Sequence, residues 1–176
     1  MALGKQAKVL TKPQVDAITA FLLARRYGLR DQTVFLLSVR AGLRAKEIAN
    51  LKWSMILTPE GEVGDAIYLT NTASKGRSGR VIPLNKQLRE NLERMLVAAR
   101  QDRRFHPTLS YVVTTERSAH TSPQAVVNMF KRWYGDIGLL GCSSHSGRRT
   151  FITNAARKIS TVGGSLRDVQ MLAGHS

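Results

Sequence analysis

The sequence has little cysteine and little acidic charge. Cys142 is the single cysteine among 176 residues, so an intramolecular disulfide is impossible and a cysteine-rich zinc site is excluded. No apolar run approaches the roughly 18 residues of a membrane-spanning helix, and the N-terminus lacks the apolar stretch of a secretory signal. Only 12 acidic residues oppose 27 lysines and arginines, which leaves a net charge of +15. These absences point away from disulfide scaffolds and membrane proteins, and we expect a cytoplasmic chain.

Positive charge dominates what is present. The sequence pI is near 10.9 and the apolar fraction is an ordinary 43%, so we expect one folded domain rather than a disordered chain. A basic excess of this size predicts a polyanionic partner, most often nucleic acid. A ribosomal-type protein and a merely basic surface are the alternatives that charge alone leaves open.

Apolar spacing and capping residues predict a mainly α-helical domain with a small antiparallel β-sheet. After a basic lead-in over 1–10, Thr11 and Gln14 form a capping box that opens the domain, expected over 11–176. Gly28 is expected to end the first helix. Two strand-like runs flank a basic turn that contains glycine, which predicts a β-hairpin. The expected strands are 66–70 and 80–84, and the expected helices are 11–26, 31–42, 43–51, 85–99, 122–133, 145–158 and 165–174.

The segment from Gly42 to Trp53 reads GLRAKEIANLKW and places Arg44 at a helix start. Unpaired backbone N–H groups at a helix start already favour an anion. Glu47 follows one turn later, within reach of Arg44. An ordinary surface ion pair is the alternative interpretation of this segment taken alone, because such pairs are common and weak.

A second basic segment reads HSGRRTF from His145 to Phe151. His145 and Arg148 are spaced to share one helical face, whereas Arg149 points about 100° away. A fixed cation beside a titratable imidazole suits a phosphodiester, because the cation neutralises charge and the imidazole can move a proton. A helix with a solvated basic side explains the segment equally well.

Two further basic residues lie in turns. Lys75 stands in the hairpin turn, and His175 directly follows Gly174, which is expected to end the last helix. Neither residue indicates a site by itself, because turn lysines and lone histidines are usually solvated or structural.

Taken in order, these segments resemble the tyrosine recombinase (phage integrase) family. The order is GLRxxEIxxLxW, a hairpin lysine, HxxRRTF and LAGHS, and the resemblance runs from about Val9 to Ser176. It implies the fold of the DNA breaking-rejoining catalytic domain. It also implies site-specific DNA recombination or integration, in which strands are cleaved and rejoined through a 3′-phosphotyrosyl intermediate. No metal or nucleotide cofactor is expected, since the bond energy is kept in the covalent intermediate.

Arg44 and Arg148 match the two family arginines that grip the non-bridging oxygens of the scissile phosphate. A phosphodiester that passes through a five-coordinate state accumulates negative charge on its equatorial oxygens. Two planar, permanently charged guanidinium groups can hold that charge without proton movement. The resemblance therefore implies that these two residues converge.

The resemblance implies roles for the other matching residues as well. Lys75 would protonate the leaving 5′ oxygen, and His145 would serve as a base or as a phosphate contact. His175 would donate a further hydrogen bond to the phosphate, and Glu47 would orient the site from behind. Arg149 stands where many relatives carry a second histidine, and we expect little consequence.

Double-stranded DNA is the implied partner, and relatives assemble on it as homo-tetramers. The family's nucleophilic tyrosine and C-terminal tail follow the Gly-His-Ser motif, and this sequence stops at Ser176. We therefore expect an incomplete catalytic domain, without its nucleophile and inactive in cleavage, that is a monomer in solution and lacks an N-terminal core-binding domain. None of the four tyrosines matches the nucleophile: Tyr68 is expected in the core, and Tyr27, Tyr111 and Tyr134 at a surface or interface.

Two alternative functions remain open at this point. A remnant that binds DNA without catalysis would keep the same basic residues. A relative of type IB topoisomerases would share the same phosphate-binding logic, although the LAGHS ending favours recombinases.

Overall fold

The computed structural model describes residues 6–73 and 79–174. Within them the chain forms seven α-helices, two β-strands and two short 3₁₀ turns. The helices are α1 (Lys12–Leu23), α2 (Gly28–Ala41), α3 (Ala45–Ala49), α4 (Lys86–Ala99), α5 (Pro123–Asp136), α6 (Ser146–Ile159) and α7 (Leu166–Ala173). The strands are β1 (Ala66–Leu69) and β2 (Arg80–Pro83), and the 3₁₀ turns are Trp53–Met55 and Ser160–Val162. This confirms the predicted mainly helical fold with a small antiparallel sheet.

Capping residues begin most of the predicted helices. The backbone N–H of Thr11 donates to Gln14 Oε1 at 2.9 Å, and the Thr11 hydroxyl accepts from the backbone N–H of Gln14. A second reciprocal cap joins Ser165 and Asp168 at the start of α7. These side chains satisfy N–H groups that have no partner inside the helix.

The predicted boundary between the first two helices is wrong. Helix α1 ends at Leu23, and Gly28 begins α2 instead of ending α1. The reason is a close approach, because a Cβ atom on Gly28 would overlap the backbone carbonyl of Leu23. The glycine therefore permits a tight turn between two helices, a role that its position in the sequence does not distinguish from a helix stop.

Helix α2 is the centre of the fold. Phe35, Leu36 and Leu37 have no solvent exposure, although successive helical residues point about 100° apart. Helices α1, α4 and α6 all pack against α2, which accounts for its burial on every side. The C-terminal end of α2 is therefore held firmly, and the chain passes from that end into α3.

The two strands pair antiparallel, with Ile67 opposite Ile82 and Tyr68 opposite Val81. The isoleucines are buried, and Tyr68 is 61% exposed. The expectation of a core Tyr68 is therefore wrong, because alternation along the strand turns it away from Ile67. The expectation for Tyr134 is also wrong, since that side chain is buried in the hydrophobic core.

The segment before α1 lies along α6. The backbone N–H of Leu10 donates to Thr150 Oγ1 at 2.8 Å, and Arg149 donates to the carbonyl of Ala7 at 3.1 Å. The Arg149 side chain, which was expected to point away from His145 and Arg148, thus holds this segment against α6. Among the described residues, no helix is both long and apolar enough to cross a membrane.

Candidate active site

Arg44 stands at the junction of α2 and α3. Gly42 ends α2 in the left-handed conformation with φ of 66°, and a Cβ atom there would overlap the Phe151 ring of α6. Only glycine meets both conditions without strain. The resulting turn makes Arg44 the N-cap residue of α3, and the backbone N–H of Arg44 donates to Glu47 Oε2 at 2.8 Å.

The Glu47 side chain has no solvent exposure and is shared by two arginines. Arg44 Nη1 lies 3.0 Å from Glu47 Oε1. Arg80 donates to both carboxylate oxygens, at 2.9 Å from Nη1 and 3.1 Å from Nη2. This arrangement is not an ordinary surface ion pair, because the carboxylate is fully enclosed by the groups that bind it.

The environment of Glu47 keeps it ionised. Burial acts to raise the pKa of its carboxyl group, but the Arg80 side chain and the Arg44 backbone N–H donate hydrogen bonds that outweigh burial. Their charges act in the same direction, and the pKa is lowered from its usual value. A fixed negative charge therefore lies between the two arginines.

Arg148 lies in the first turn of α6 and is also buried. Its Nη1 donates to the carbonyl of Gly42 at 2.6 Å, and its Nη2 donates to the carbonyl of Ala173. These carbonyls belong to the C-terminal ends of α2 and α7, which carry partial negative charge. Arg148 is thus not on a solvated basic side of its helix, and it ties three helices together at one point.

Burial lowers the pKa of Arg148 to about 10, and the positive charges of Arg44 and Arg80 act in the same direction. Glu47 acts against this shift. The guanidinium remains charged at neutral pH, in a place where other positive charges oppose it. The structure therefore brings Arg44, Glu47, Arg80 and Arg148 within electrostatic reach of one another, although Gly42 and Arg148 are 106 positions apart.

His145 is the residue that precedes α6, one helical turn before Arg148, and its side chain is exposed. Side chains at this spacing on a helix are about 5–6 Å apart at Cβ. His145 is thus beside Arg148 and open to an incoming group. Lys75 and His175 lie outside the described residues.

Sequence reasoning missed Arg80. The hairpin prediction included it as a strand residue, but gave it no role in the site. Its position did carry information, because Arg80 and Ile82 are two residues apart in a strand and share the inward face. A buried arginine at such a position requires an acidic partner, and Glu47 is a suitable one.

The described cluster contains three guanidinium groups and one carboxylate. Backbone carbonyls offset part of the remaining positive charge, and exposed His145 precedes Arg148 by one helical turn. Arg44 is the least buried of the three arginines, with a side chain 23% exposed. Chemically, the arrangement can receive an anion with several oxygens, contacted by guanidinium groups and reachable by an imidazole.

Comparison with known proteins agrees with the resemblance. The profile of the phage integrase family matches residues 8–176. Tyrosine recombinase XerA of Pyrococcus horikoshii is 30% identical over 169 residues, which are 96% of this chain and 53% of that protein. Tyrosine recombinase XerD of Xanthomonas campestris pv. campestris is 30% identical over 178 residues, covering 96% of this chain and 52% of the relative. The chain spans about half the length of the curated relatives it matches.

Solved structures share the fold. The Tn1549 transposon integrase in complex with transposon right end DNA superposes with a TM-score of 0.75 at 18% identity, over 98% of this chain and 58% of that one. A lambda integrase tetramer bound to a Holliday junction gives a TM-score of 0.69 at 20% identity, over 97% of this chain and 47% of that one. With the family profile matching nearly the whole sequence, the chain belongs to the phage integrase family of tyrosine recombinases and has the fold of their catalytic domain.

Proposed function

We propose that this chain contributes the phosphate-binding residues of the catalytic domain to site-specific DNA recombination, in which DNA strands are broken and rejoined through a 3′-phosphotyrosyl intermediate. The observation that carries the proposal is the convergence of Arg44 and Arg148 around buried Glu47. Family membership supports it independently. The scissile phosphate would be the anion that this arrangement receives.

The arginine pair suits a transition state better than a resting phosphate. Attack on a phosphodiester produces a five-coordinate phosphorus whose equatorial oxygens carry more negative charge than before. Guanidinium groups already fixed by Glu47 and by helix carbonyls need no rearrangement to meet that charge. The charge of Arg148 would be stabilised most by the added negative charge, because burial and its positive neighbours disfavour that charge in the free protein.

The remaining roles follow the family and are proposals for this chain. His145 would act as a base or contact the phosphate from the edge of the site. Lys75 would donate a proton to the departing 5′ oxygen, which becomes a hydroxyl group. His175 would donate a further hydrogen bond, and Glu47 would hold Arg44 in place. The mechanism needs no metal, since the arginines supply the charge that a metal ion would.

The proposed partner is double-stranded DNA, bound by a homo-tetramer of the complete recombinase. Net charge of +15 supports a polyanionic partner. The two superposed integrases were solved with DNA and as a tetramer on a Holliday junction. We place the protein in the cytoplasm, together with its proposed DNA partner.

Binding without strand breakage is the second candidate, favoured by the net charge of +15, which attracts DNA whether or not its strands are cleaved. The two functions differ in one observable, the appearance of strand breaks. Hydrogen peroxide can serve as a small nucleophile, so an assay that includes it does not depend on which tyrosine attacks. Its oxygen would bond to phosphorus, and the 5′ oxygen would leave with a proton as a hydroxyl group.

The test incubates the protein with nicked duplexes of randomised sequence and peroxide, then sequences the new ends. We expect breaks with 5′ hydroxyl groups, reduced about 100-fold in Arg44→Ala and in Arg148→Lys. The control is Lys86→Ala, which removes one charge from a side chain that is 91% exposed. If the protein binds DNA but produces no strand breaks, or produces breaks that Arg44→Ala does not reduce, the second candidate is supported and the first is overturned.

A further inference from the structure

We propose that Arg80 is a positioning residue, which fixes the C-terminal turn of α7 against Glu47 and thereby sets Arg44 and Arg148 for the phosphate. The inference rests on the proposed function, because it concerns the same phosphate site. Arg80 itself is held away from solvent, with a side chain only 5% exposed. It would act through its neighbours rather than on the DNA.

The contacts of Arg80 use two sides of its guanidinium group. Nη1 and Nη2 donate to the two oxygens of Glu47, at 2.9 and 3.1 Å. Nε donates to the carbonyl of Leu172 at 2.8 Å. Leu172 and Glu47 lie 92 and 33 positions from Arg80 in the sequence. One planar group therefore connects β2, α3 and α7.

The end of α7 is held by two arginines at consecutive carbonyls. Arg80 binds the carbonyl of Leu172, and Arg148 binds that of Ala173. Helix α7 has eight residues, too few for a helix that is stable by itself in water. Its position must therefore come from tertiary contacts, and these two hydrogen bonds fix its last turn.

Gly174 shows how closely Arg80 packs under that turn. Gly174 ends α7 with φ of 62°, and a Cβ atom on it would lie 2.8 Å from Arg80 Nη1. The guanidinium group thus fills the space between Glu47 and the backbone of the turn. A change at Arg80 would act in two directions, toward Arg44 through Glu47 and toward Arg148 through the end of α7.

Lysine could not replace Arg80 in this role. A lysine side chain has one nitrogen, whereas the arginine meets two carboxylate oxygens and a carbonyl with three separate nitrogens in one plane. Arg80→Lys therefore keeps the charge and removes the geometry. If charge alone mattered, the lysine variant would behave as the native protein does.

The experiment measures binding of inorganic phosphate through the arginine side-chain N–H signals in NMR spectra. The signal of Arg44 is assigned from its loss in Arg44→Ala. We expect Arg80→Lys to remain folded and to bind phosphate about tenfold more weakly, as the loss of hydrogen bonds to a charged group implies. The matched control is Arg89→Lys, because Arg89 also pairs with carboxylates, Asp65 and Glu93, but on the surface.

A second variant separates positioning from folding. Arg80→Ala leaves a space that a guanidinium ion fits, so millimolar guanidinium should restore phosphate affinity and ammonium should not. Folded Arg80→Lys protein that binds phosphate as the native protein does would overturn the inference and leave the proposed function standing.

Failure of the proposed function gives a different result. In that case the native protein shows no phosphate response at Arg44. Hydrogen exchange at the Leu172–Gly174 amides then decides the role of Arg80. Exchange that is faster in Arg80→Lys than in Arg89→Lys supports positioning of α7, and equal exchange overturns it.

Discussion

Glu47 shows how one buried residue couples the site to the stability of the whole domain. Its pKa is lowered in the folded protein, because hydrogen bonds from Arg80 and Arg44 outweigh the effect of burial. The unfolded chain therefore takes up a proton first as the pH falls below the usual value of 4.5. The stability that ionised Glu47 contributes is present above that pH and is lost as the pH falls through the folded pKa.

Glu47→Gln should lower the free energy of unfolding by about 3–5 kcal/mol at neutral pH, because it leaves buried Arg80 without its acid. The substitution should also weaken the dependence of stability on pH below about pH 5. Urea unfolding over a series of pH values measures both effects. The control, Glu93→Gln, removes a surface partner of Arg89 and should change stability by less than about 1 kcal/mol. A variant as stable as the native protein at neutral pH would contradict the prediction.

Binding of an anion at Arg148 should raise the free energy of unfolding of the protein. Burial and the charges of Arg44 and Arg80 disfavour its guanidinium charge, and a bound oxyanion would relieve that opposition. Phosphate at ten times its Kd should add about 1.4 kcal/mol to the free energy of unfolding. Arg148→Met should abolish this gain, whereas Arg157→Met, at an exposed position of the same helix, should retain it. Thermal unfolding across a phosphate series is the measurement, and equal stabilisation of both variants would argue against anion binding at Arg148.

At the scale of elements, the packing of α2 against α6 places Arg148 beside the end of α2. Gly147 permits this contact, because a Cβ atom there would overlap the Ser38 side chain. Gly147→Ala should therefore destabilise the protein by about 1–3 kcal/mol, as overpacking does. Gly135→Ala is the control, since a Cβ atom on this glycine of α5 would meet nothing within 4 Å. Alanine there should stabilise the helix by up to about 1 kcal/mol, and a similar gain at Gly147 would show that the helices can separate without cost.

Element boundaries that depend on local chemistry could be predicted from the sequence, and those that depend on packing could not. The caps at Thr11 and Ser165 are local, because donor and acceptor lie three residues apart. Gly28 begins a helix because the carbonyl of Leu23 leaves no room for a Cβ atom there. No sequence motif indicates this close approach. Strand alternation places Tyr68 and Ile67 on opposite faces but does not tell which face is buried, so the expectation of a core Tyr68 is wrong.

The candidate site divides in the same way. Arg44, His145 and Arg148 stand in segments whose order resembles a family, so resemblance could single them out. Arg80 stands outside those segments, and its role depends on Glu47 and Leu172, both distant in the chain. Long-range hydrogen bonds of this kind are visible only once the fold is known.

At the scale of the whole molecule, charge should govern the affinity for DNA. Lysines and arginines exceed acidic residues by 15, and binding that neutralises phosphates releases the cations condensed on DNA. If six or more phosphates are contacted, affinity for a duplex should fall by about 1,000-fold between about 50 and 200 mM salt. Fluorescence anisotropy with a labelled duplex measures this slope. A binding constant that is unchanged over that range would contradict a charge-driven interface.

The contacts of Arg148 also have a consequence for the order in which the protein becomes competent during its synthesis. A ribosome releases the N-terminal part first, so the turn at Gly42 is made long before Arg148, which follows it by 106 positions, can bind its carbonyl. The other carbonyl, on Ala173, emerges later still. A nascent chain is therefore already a polycation that nucleic acid attracts, while any chemistry that requires both arginines must wait for α7. The nascent chain is therefore attracted to nucleic acid before its phosphate site is complete, and the rate of translation sets the interval between the two events.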